Sequence, residues 1–491
     1  MIFKQKIADY FLYRHRFLFA YLMIGLIFAG LILYTFNFAP NGLSQTEIKS
    51  ASISMDIQNG LDVITLANTD LPYHLLQKTS ISILGLNTLA IKLPSILIAS
   101  LCLIFLALMY SQWFKRNVTI LGLLITITLG IFLYFAQSGS PEIMYFFWPT
   151  LILFISGLII QNPKYKIPKS IFLAISIALS LYTPMMIYVI ISIVIAALLH
   201  PKIRLKLKRL PRKYLFILPM ILVIGIAPLI TSIVKNHHLL LDILAIPTNN
   251  INLVENIKIL GSQFVDSINS FGVFYPAIDT GLIALVTVGL VQLFKNSWTV
   301  RTYLILSWTL LTLPILIINP SYFGVLFIPI ILTAMIGLSW LLNYWYEIFP
   351  TNPYARVVGL FPITILLSAL LFSSFIRYTN DYVYNPDTLK NFNDDLNIVN
   401  EYFKKSSGNI KLVVTEDQYN FYKNFNKKAI NKNNLTVNVA TSISSLDNTI
   451  VSREALNNIF KNNNQLTPNK ILVDSKKENS DRFYVYKTSS N

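Results

Sequence analysis

The sequence predicts a mainly α-helical protein, a polytopic transmembrane bundle followed by a small C-terminal α/β domain. Three observations support this fold class. The 491 residues are 54% hydrophobic and 13% charged, whereas soluble globular proteins carry about 25% charged residues. Long apolar runs alternate with loops whose charge follows a regular pattern. After Ile376 the composition becomes polar and rich in Asn and Lys. Most of the chain is therefore predicted to lie in a membrane rather than in a soluble globule.

The apolar runs have spanning or near-spanning length and predict about 11 transmembrane helices. They cover residues 17–38, 88–110, 118–135, 143–160, 170–182, 185–199, 214–234, 278–294, 303–318, 322–345 and 357–376. The two short runs beside Pro184 predict either one hairpin or one broken helix, so the count can change by about two. The first run has full spanning length and no small-residue cleavage motif. It is predicted to be a retained helix rather than a signal peptide.

The alternation of charge between loops predicts the orientation. Lys and Arg concentrate in every second loop. The loops between them carry acids, namely Glu47, Asp56, Asp62, Asp70, Glu142, Asp242, Glu255 and Asp266. Because cytoplasmic loops are enriched in Lys and Arg, the N-terminus is predicted inside and the C-terminus outside. The same rule explains the net charge of +17, so nucleic acid is not predicted as a partner. The densest basic cluster, 202–213, is interpreted as a topogenic loop near anionic headgroups or as a docking site for a cytoplasmic partner.

The first outer loop, residues 37–85, is too polar to lie in hydrocarbon but is still patterned. From Ser44 the apolar residues follow one helical face until Gly60, and a second pattern runs from Pro72 to Leu84. These patterns predict two amphipathic helices that lie at the membrane interface.

A motif in this loop resembles a known family. The stretch Ala39-Pro40-Asn41-Gly42-Leu43-Ser44-Gln45-Thr46-Glu47 is similar to the Pro-Gly-Leu-x-x-Asp-Glu signature of GT-C glycosyltransferases. These are membrane enzymes of the protein O-mannosyltransferase and aminoarabinose-transferase type, in the glycosyltransferase family 39-like superfamily. Residues 71–76, 84–85 and 91–95 continue the likeness at the family's spacing. Thr46 stands where the family has the Asp of its Asp-Glu pair.

The resemblance implies two catalytic carboxylates, Glu47 and Glu142. In the family, an acid of the first outer loop is the base for the acceptor hydroxyl, and a second acid follows the third helix. Such a transfer needs a base near the attacking oxygen and stabilisation of the departing phosphate. Each carboxylate also has a purely structural interpretation. Ser44-x-x-Glu47 is a capping box, and Ser140-Pro141-Glu142 is a typical helix start.

Five further residues are predicted to bind substrate: Thr46, His74, Lys92, Gln137 and Tyr322. Gln137 stands where relatives carry an Arg, and Ser321, next to Tyr322, stands where they carry a basic residue. Lys92 has an alternative interpretation as a lysine that snorkels from the outer end of its helix.

No metal site is predicted. The paired histidines His237 and His238 suggest metal, but adjacent residues face different sides of a helix or strand. No acidic or Cys partner stands at ligand spacing, so they are interpreted as interfacial polar residues. The single cysteine, Cys102, lies inside an apolar run. No cofactor is expected; a divalent metal is compatible with the chemistry but is supported by no motif.

The chain is predicted to divide into a transmembrane domain, 1–376, and an extracytoplasmic α/β domain, 377–491. In the second domain, helices are predicted over 387–405, 418–428 and 453–462, and strands over 410–414, 435–440, 470–473 and 482–487. The domain contains no Gly-rich phosphate loop, so no nucleotide site is predicted.

The resemblance implies an integral membrane glycosyltransferase that moves a sugar from a polyprenyl-phosphate donor to an acceptor hydroxyl on the outer face. The implied partners are the lipid-linked donor, membrane lipids and a protein, lipid or glycan acceptor. The alternative is a catalytically silent relative that binds lipid-linked glycan or a partner enzyme, because Thr46, Gln137 and Ser321 replace expected polar residues. A transporter would need ionisable residues inside the bundle, and the apolar runs are nearly free of them.

Overall fold

The structure is a computed structural model in which most of the bundle and the core of the C-terminal region are described. The described residues are 14–38, 42–57, 69–161, 166–208, 214–248, 251–265, 278–296, 298–348, 353–384, 392–394, 396, 398–399, 402, 410–429, 435–439, 449–460, 468–473 and 481–486. Three predicted features lie wholly or mostly outside these ranges. They are the helix over 387–405, residues 39–41 of the signature and residues 209–213 of the basic cluster.

Helices make up nearly all of the described chain before residue 385. They are α1 (Arg16–Phe38), α2 (Gln45–Asp56), α3 (Leu71–Leu84), α4 (Thr88–Trp113), α5 (Arg116–Thr128), α6 (Gly130–Gln137), α7 (Met144–Gln161), α8 (Lys166–Ser180), α9 (Met186–Leu199), α10 (Pro201–Lys208), α11 (Tyr214–Lys235), α12 (His238–Ile243), α13 (Leu253–Val265), α14 (Thr280–Lys295), α15 (Val300–Ile318), α16 (Phe327–Ile348) and α17 (Pro353–Tyr384). Two 3₁₀ turns, Pro141–Ile143 and Pro320–Leu326, precede α7 and α16.

Every apolar run named above is helical, which confirms a multi-pass helical membrane protein. Within the described ranges, seven helices are long and apolar enough to cross a membrane. The bent pair α5 and α6, which meet at 62°, counts as one more if it forms a single span. Three shorter apolar helices, α8, α9 and α14, complete the set. The total of about 11 spans stays a prediction.

Close contacts between α7, α14 and α16 hold this part of the bundle together. A Cβ atom on Gly289 of α14 would stand 2.0 Å from the carbonyl oxygen of Thr333 on α16. Small residues permit such approaches where lipid supplies no hydrophobic driving force between helices. The rings of Phe146 and Phe327 stack with centroids 3.9 Å apart and fix α7 against α16.

The C-terminal region contains a five-stranded sheet, as the alternating pattern predicts. Its strands are β3 (Ile410–Val414), β4 (Leu435–Val439), β5 (Thr449–Ser452), β6 (Lys470–Val473) and β7 (Asp481–Tyr486), in the order β4-β3-β5-β7-β6. Strand β3 pairs in parallel with β4 and β5, whereas β7 is antiparallel to β5 and β6. Helices α18 (Glu416–Ala429) and α19 (Arg453–Phe460) complete it. Strand β5 is central to the sheet, and the sequence does not predict it.

The C-terminal region packs directly on the first-loop helix α2. Two-residue strand β1 (Leu43–Ser44) pairs with β2 (Phe392–Asp394), and Gln45 Nε2 donates to Glu454 Oε1 at 2.7 Å. Ile48 belongs to the same hydrophobic cluster as Phe421. Helix α17 continues to Tyr384, so the predicted division at residue 376 falls inside a continuous helix. The assignment of two domains stays a prediction.

Candidate active site beneath the first-loop helices

The N-terminus of α2 is closed by the capping box that the local sequence predicts. The Ser44 N–H donates to Glu47 Oε2 at 2.9 Å, and the Glu47 N–H donates to Ser44 Oγ at 3.3 Å. These two bonds satisfy backbone donors that a helix start leaves unpaired. One oxygen of Glu47 therefore has a structural task within its own helix.

The other oxygen of Glu47 joins α2 to the rest of the bundle. Glu47 Oε1 accepts from the Gly139 N–H at 2.7 Å and lies 3.4 Å from Lys92 Nζ. The two side chains are only 1% and 7% exposed, and theirs is the one ion pair found within the described residues. Removing one partner of a buried pair typically costs about 3–5 kcal/mol, because the other charge stays buried without compensation. Lys92 is therefore a partner of Glu47 in the interior.

Gln77 of α3 connects the same elements through a second set of bonds. Its Oε1 accepts from the hydroxyls of Ser50 and Ser54 at 2.9 and 2.7 Å, and its Nε2 donates to the carbonyl oxygens of Gly139 and Ile91 at 2.7 and 3.1 Å. We call the buried group of Glu47, Lys92, Gln77 and Gly139 the Glu47 junction. It fixes both first-loop helices to α4 and to the turn 138–142.

His74 lies in the helix interface beside this junction. Its Nδ1 is 2.9 Å from Ser54 Oγ, and its side chain is buried. Burial lowers the pKa of His74 to about 4, so the imidazole is neutral at pH 7. A buried, neutral, hydrogen-bonded ring contributes packing between α2 and α3.

Glu142 lies on the same turn, 138–142, as Gly139, whose N–H donates to Glu47. It occupies the 3₁₀ turn before α7, is partly buried, and accepts a hydrogen bond from the Ser140 hydroxyl. Glu47 and Glu142 interact electrostatically. Because Gly139 bonds to Glu47, and three residues of chain span at most about 11 Å, the two predicted carboxylates belong to one local site.

Asp70 is a third acid in this site, and the sequence singles it out only as one of several outer-face carboxylates. It precedes α3 with a left-handed φ of 57° and does not cap that helix with its side chain. Its N–H donates to the Tyr182 carbonyl at 2.8 Å, whereas its Oδ1 is buried without a hydrogen-bond partner. Burial raises the pKa of Asp70 to about 8; the nearby Thr183 hydroxyl partly offsets this rise, and the charge of Glu142 adds a smaller increase. Asp70 is thus poised to exchange a proton near neutral pH.

Three tyrosines surround these acids. Tyr73 hydrogen-bonds Ser95 through its hydroxyl at 2.8 Å, and the rings of Tyr145 and Tyr322 meet edge to face at 6.2 Å. All three interact electrostatically with Asp70. We call Asp70, Glu142, Tyr73, Tyr145 and Tyr322 the acid–tyrosine cluster. The predicted substrate residue Tyr322 thus contacts Tyr145, which in turn interacts with Glu142.

Two other predicted substrate residues lie elsewhere. Thr46 is exposed on the outer side of α2, and its hydroxyl is 2.9 Å from Ser44 Oγ. Gln137 is buried at the end of α6, where its Nε2 donates to Thr35 Oγ1 of the first helix. Neither is placed in the acid–tyrosine cluster by these contacts.

The described residues contain no group of three His, Cys, Asp or Glu side chains that is arranged to hold a metal ion. His237 and His238 are exposed at the start of α12, and Cys102 is buried in α4. The chemical groups described in the site are carboxyls, phenols, hydroxyls, a side-chain amide, an imidazole, a lysine and backbone amides.

Comparison with solved structures finds the same architecture in two membrane enzymes. ArnT from Cupriavidus metallidurans, crystallised with undecaprenyl phosphate, is 11% identical with a TM-score of 0.55; the match covers 96% of this chain and 98% of ArnT. Its apo structure gives a TM-score of 0.53 over 94% and 97%. The archaeal oligosaccharyltransferase AglB from Archaeoglobus fulgidus, in complex with an inhibitory peptide and a dolichol-phosphate, is 11% identical with a TM-score of 0.51 over 87% of this chain.

The present chain spans 65% of the length of AglB. No protein-family model matches the sequence, and no curated protein matches it either. The likeness is therefore one of fold, and it agrees with the motif resemblance in the first outer loop. The chain has the fold of the GT-C type membrane glycosyltransferases.

Proposed function

We propose that this protein is a membrane glycosyltransferase that moves a sugar from a polyprenyl-phosphate donor to an acceptor hydroxyl on the outer face of the membrane. The observation that carries the proposal is the gathering of Glu47, Glu142 and Asp70 beneath two interfacial helices of a GT-C fold. The solved structures of ArnT with undecaprenyl phosphate and of AglB with dolichol-phosphate support this class of donor.

The reaction requires one proton transfer and one broken bond. The acceptor oxygen attacks the anomeric carbon, the bond from that carbon to the phosphate oxygen breaks, and polyprenyl phosphate leaves with the electron pair. The proton of the acceptor hydroxyl passes to a carboxylate. A site at the membrane boundary suits this donor because its tail can stay in lipid while its phosphate reaches the helix ends.

The contacts of the acids support different roles for them. Glu47 is saturated by two backbone N–H groups and Lys92, so we assign it to positioning the turn that carries Glu142. Glu142 has the Ser140 hydroxyl as its side-chain partner and is assigned as the proton acceptor. Asp70, whose pKa of about 8 leaves it mostly protonated at neutral pH, is assigned to relay the proton by releasing its own as it takes one up, since proton transfer is most efficient when the pKa is close to the working pH.

The contacts of the C-terminal region also support its extracytoplasmic placement. The sheet packs on α2, and α2 carries Glu47 at the candidate site. If the site faces outwards, as the loop charges predict, the C-terminal region lies outside with it. The proposed acceptor is a hydroxyl of a protein, lipid or glycan on that side.

A specific observation favours a second candidate, a catalytically silent relative that binds lipid-linked glycan. Thr46, which replaces the family's Asp, is exposed on α2, and the neighbouring Glu47 is fully engaged. This protein would bind the donor without cleaving it.

One experiment separates the two candidates. Purified protein in vesicles is incubated with a panel of polyprenyl-phosphate sugars and a mixture of hydroxyl acceptors. Binding of each donor and release of free polyprenyl phosphate are both measured. Release above a protein-free control supports the enzyme. Saturable binding of a donor without release supports the silent relative, and absence of both across the panel contradicts both.

A further inference from the structure

A groove opens between three helices at the end of the bundle away from the candidate site. It has a volume of about 590 Å³ and lies between the start of α5, the end of α16 and the first half of α17. Pockets that hold small ligands typically measure about 300–1,000 Å³. The groove is therefore large enough to hold a chain-like molecule.

The groove lies at the membrane face opposite to the candidate site. Lys92, in the first turns of α4, contacts Glu47, whereas Lys115, at the groove, follows the end of the same helix. With 26 residues, α4 is about 38 Å long at 1.5 Å per residue. This length exceeds the hydrocarbon thickness of about 30 Å, so Lys115 reaches the other headgroup layer.

The walls of the groove are mostly apolar, with Thr364 and Ser368 as polar positions on α17, and extend through about one leaflet. Along α17 they run from Leu360 to Leu371, and α5 contributes Leu121 and Leu124. Eleven residue steps of helix measure about 16 Å, which is close to half of the hydrocarbon thickness. A groove of this depth fits the acyl chain of one leaflet's phospholipid better than a long polyprenyl tail.

The mouth of the groove is polar and positively charged. Lys115 is the one charged residue among the described lining residues, and none of them is a carboxylate. Its Nζ donates to Asn343 Oδ1 at 2.8 Å, a neutral partner. Helix α5 begins directly after Lys115 without a side-chain cap, so the partial positive charge of its N-terminus adds to the lysine. Tyr346 lines the same end, at the depth where tyrosines favour the membrane interface.

We propose that this groove is a binding site for an anionic phospholipid of the cytoplasmic leaflet. An acyl chain fills the apolar part between α5 and α17, and the headgroup phosphate meets Lys115 and Asn343. The complementary charge argues for an anionic headgroup, and the depth argues for a lipid of that leaflet. The site is separate from the proposed transfer reaction and does not depend on it.

The test is photo-crosslinking of the full chain in vesicles that hold equal amounts of phosphatidylcholine and phosphatidylglycerol. In one set the phosphatidylglycerol carries a diazirine in its acyl chain, and in the other set the phosphatidylcholine carries it. Crosslinked peptides are then mapped. We expect phosphatidylglycerol to label α5 and α17 within the groove more strongly than phosphatidylcholine.

Three variants make the test specific. Lys115→Gln should lower the phosphatidylglycerol label about five-fold, since a basic residue near the surface contributes this much affinity for anionic lipid. Ser368→Trp, at an exposed lining position, should block both labels. Lys295→Gln is the matched control, because Lys295 is exposed at the end of α14 and does not line the groove. It should leave both labels unchanged.

Equal labelling by the two lipids would overturn the proposal, because it indicates a groove without headgroup recognition. Absence of groove peptides from the phosphatidylglycerol set would also overturn it. An equal loss of label in Lys115→Gln and Lys295→Gln would attribute the preference to general surface charge instead of to this site.

Discussion

The Glu47 junction and the acid–tyrosine cluster are neighbouring groups that use carboxyls in opposite ways. In the junction, Glu47 accepts two backbone hydrogen bonds and pairs with Lys92. In the cluster, Asp70 keeps a buried oxygen without a hydrogen bond, and Glu142 lies close enough to raise its pKa. A buried carboxylate whose oxygens are paired holds elements together, whereas a buried carboxyl oxygen without a partner is costly and makes its residue a candidate functional group. We propose that the structural and chemical tasks of the site are divided between these neighbouring acids.

The largest expected effect on stability concerns pH and Asp70. Its pKa is about 8 in the folded protein and about 3.9 in the unfolded chain. The folded state therefore holds the proton more tightly, and stability present below the unfolded pKa is lost as the pH rises to about 8. A shift of this size corresponds to on the order of 5 kcal/mol in full.

The measurement is the denaturant midpoint between pH 5 and pH 8.5. Wild type should lose stability across this range, and Asp70→Asn, which tolerates the left-handed backbone, should show a smaller decline. If the denaturant midpoints of the two proteins fall equally with pH, the pKa of Asp70 is not raised by folding, and Asp70 does not differ from Glu47 in the way described.

The next largest effect concerns the junction. Local sequence alone predicts that Glu47→Gln changes stability little, because Gln also serves at the third position of a capping box. The structure predicts a loss of about 3–5 kcal/mol, since Lys92 would stay buried without its counter-charge. The double variant Glu47→Gln/Lys92→Met should recover part of this loss. If Glu47→Gln is as stable as wild type in urea unfolding, the ion pair between Glu47 and Lys92 does not stabilise the fold.

A smaller effect on stability is expected below pH 6.5, and it concerns His74. The pKa of His74 is lowered by burial to about 4, below the value of about 6.5 for a free imidazole. The folded protein binds this proton less well, so stability should fall as the pH drops from about 6.5 towards 4, by up to about 3 kcal/mol. Over the same range the raised pKa of Asp70 makes stability rise as the pH falls, so the two effects oppose each other in wild type. His74→Gln should remove only the loss, and its stability should therefore rise more steeply than that of wild type as the pH falls from about 6.5 to about 4. Equal slopes for His74→Gln and wild type in this range would contradict the buried, neutral ring.

The smallest effect concerns the contact between α2 and the C-terminal region. The hydrogen bond from Gln45 to Glu454 is exposed, and bonds of this kind contribute about 1 kcal/mol. Gln45→Ala should therefore leave the melting curve nearly unchanged, whereas Ile48→Asp, which places a charge in the shared hydrophobic cluster, should loosen the C-terminal region. Limited proteolysis compares the two variants, and equal resistance would show that the cluster does not fasten this region.

The sequence predicts the elements well, because apolar periodicity and helix caps are local signals. The apolar helices, the capping box at Ser44 and the helix start near Pro141 follow from such signals, whereas the short helices α10 and α12 are not predicted and Ser140 does not cap its helix. Strand β5 is missed because its four residues, Thr449–Ser452, are all buried and show no alternation. The contacts of Glu47 with Lys92 and Gly139 join distant parts of the chain, so no local pattern reveals them. Asp70 before Leu71-Pro72 looks like an ordinary helix cap, and only the fold shows that it caps nothing and is buried.

The rate of polyprenyl phosphate release by Glu142→Gln, compared with Glu47→Gln, tests the division of tasks most directly. The donor that the wild type turns over is used, and rates are normalised to the folded fraction of each protein. We expect Glu142→Gln to unfold at the wild-type midpoint but to lose about 10²- to 10⁴-fold in rate, because the proton acceptor is missing. Folded Glu47→Gln should lose much less. A folded Glu142→Gln protein that works at the wild-type rate would show that Glu142 is not the proton acceptor, and a folded Glu47→Gln protein of wild-type stability with the larger loss of rate would assign that role to Glu47.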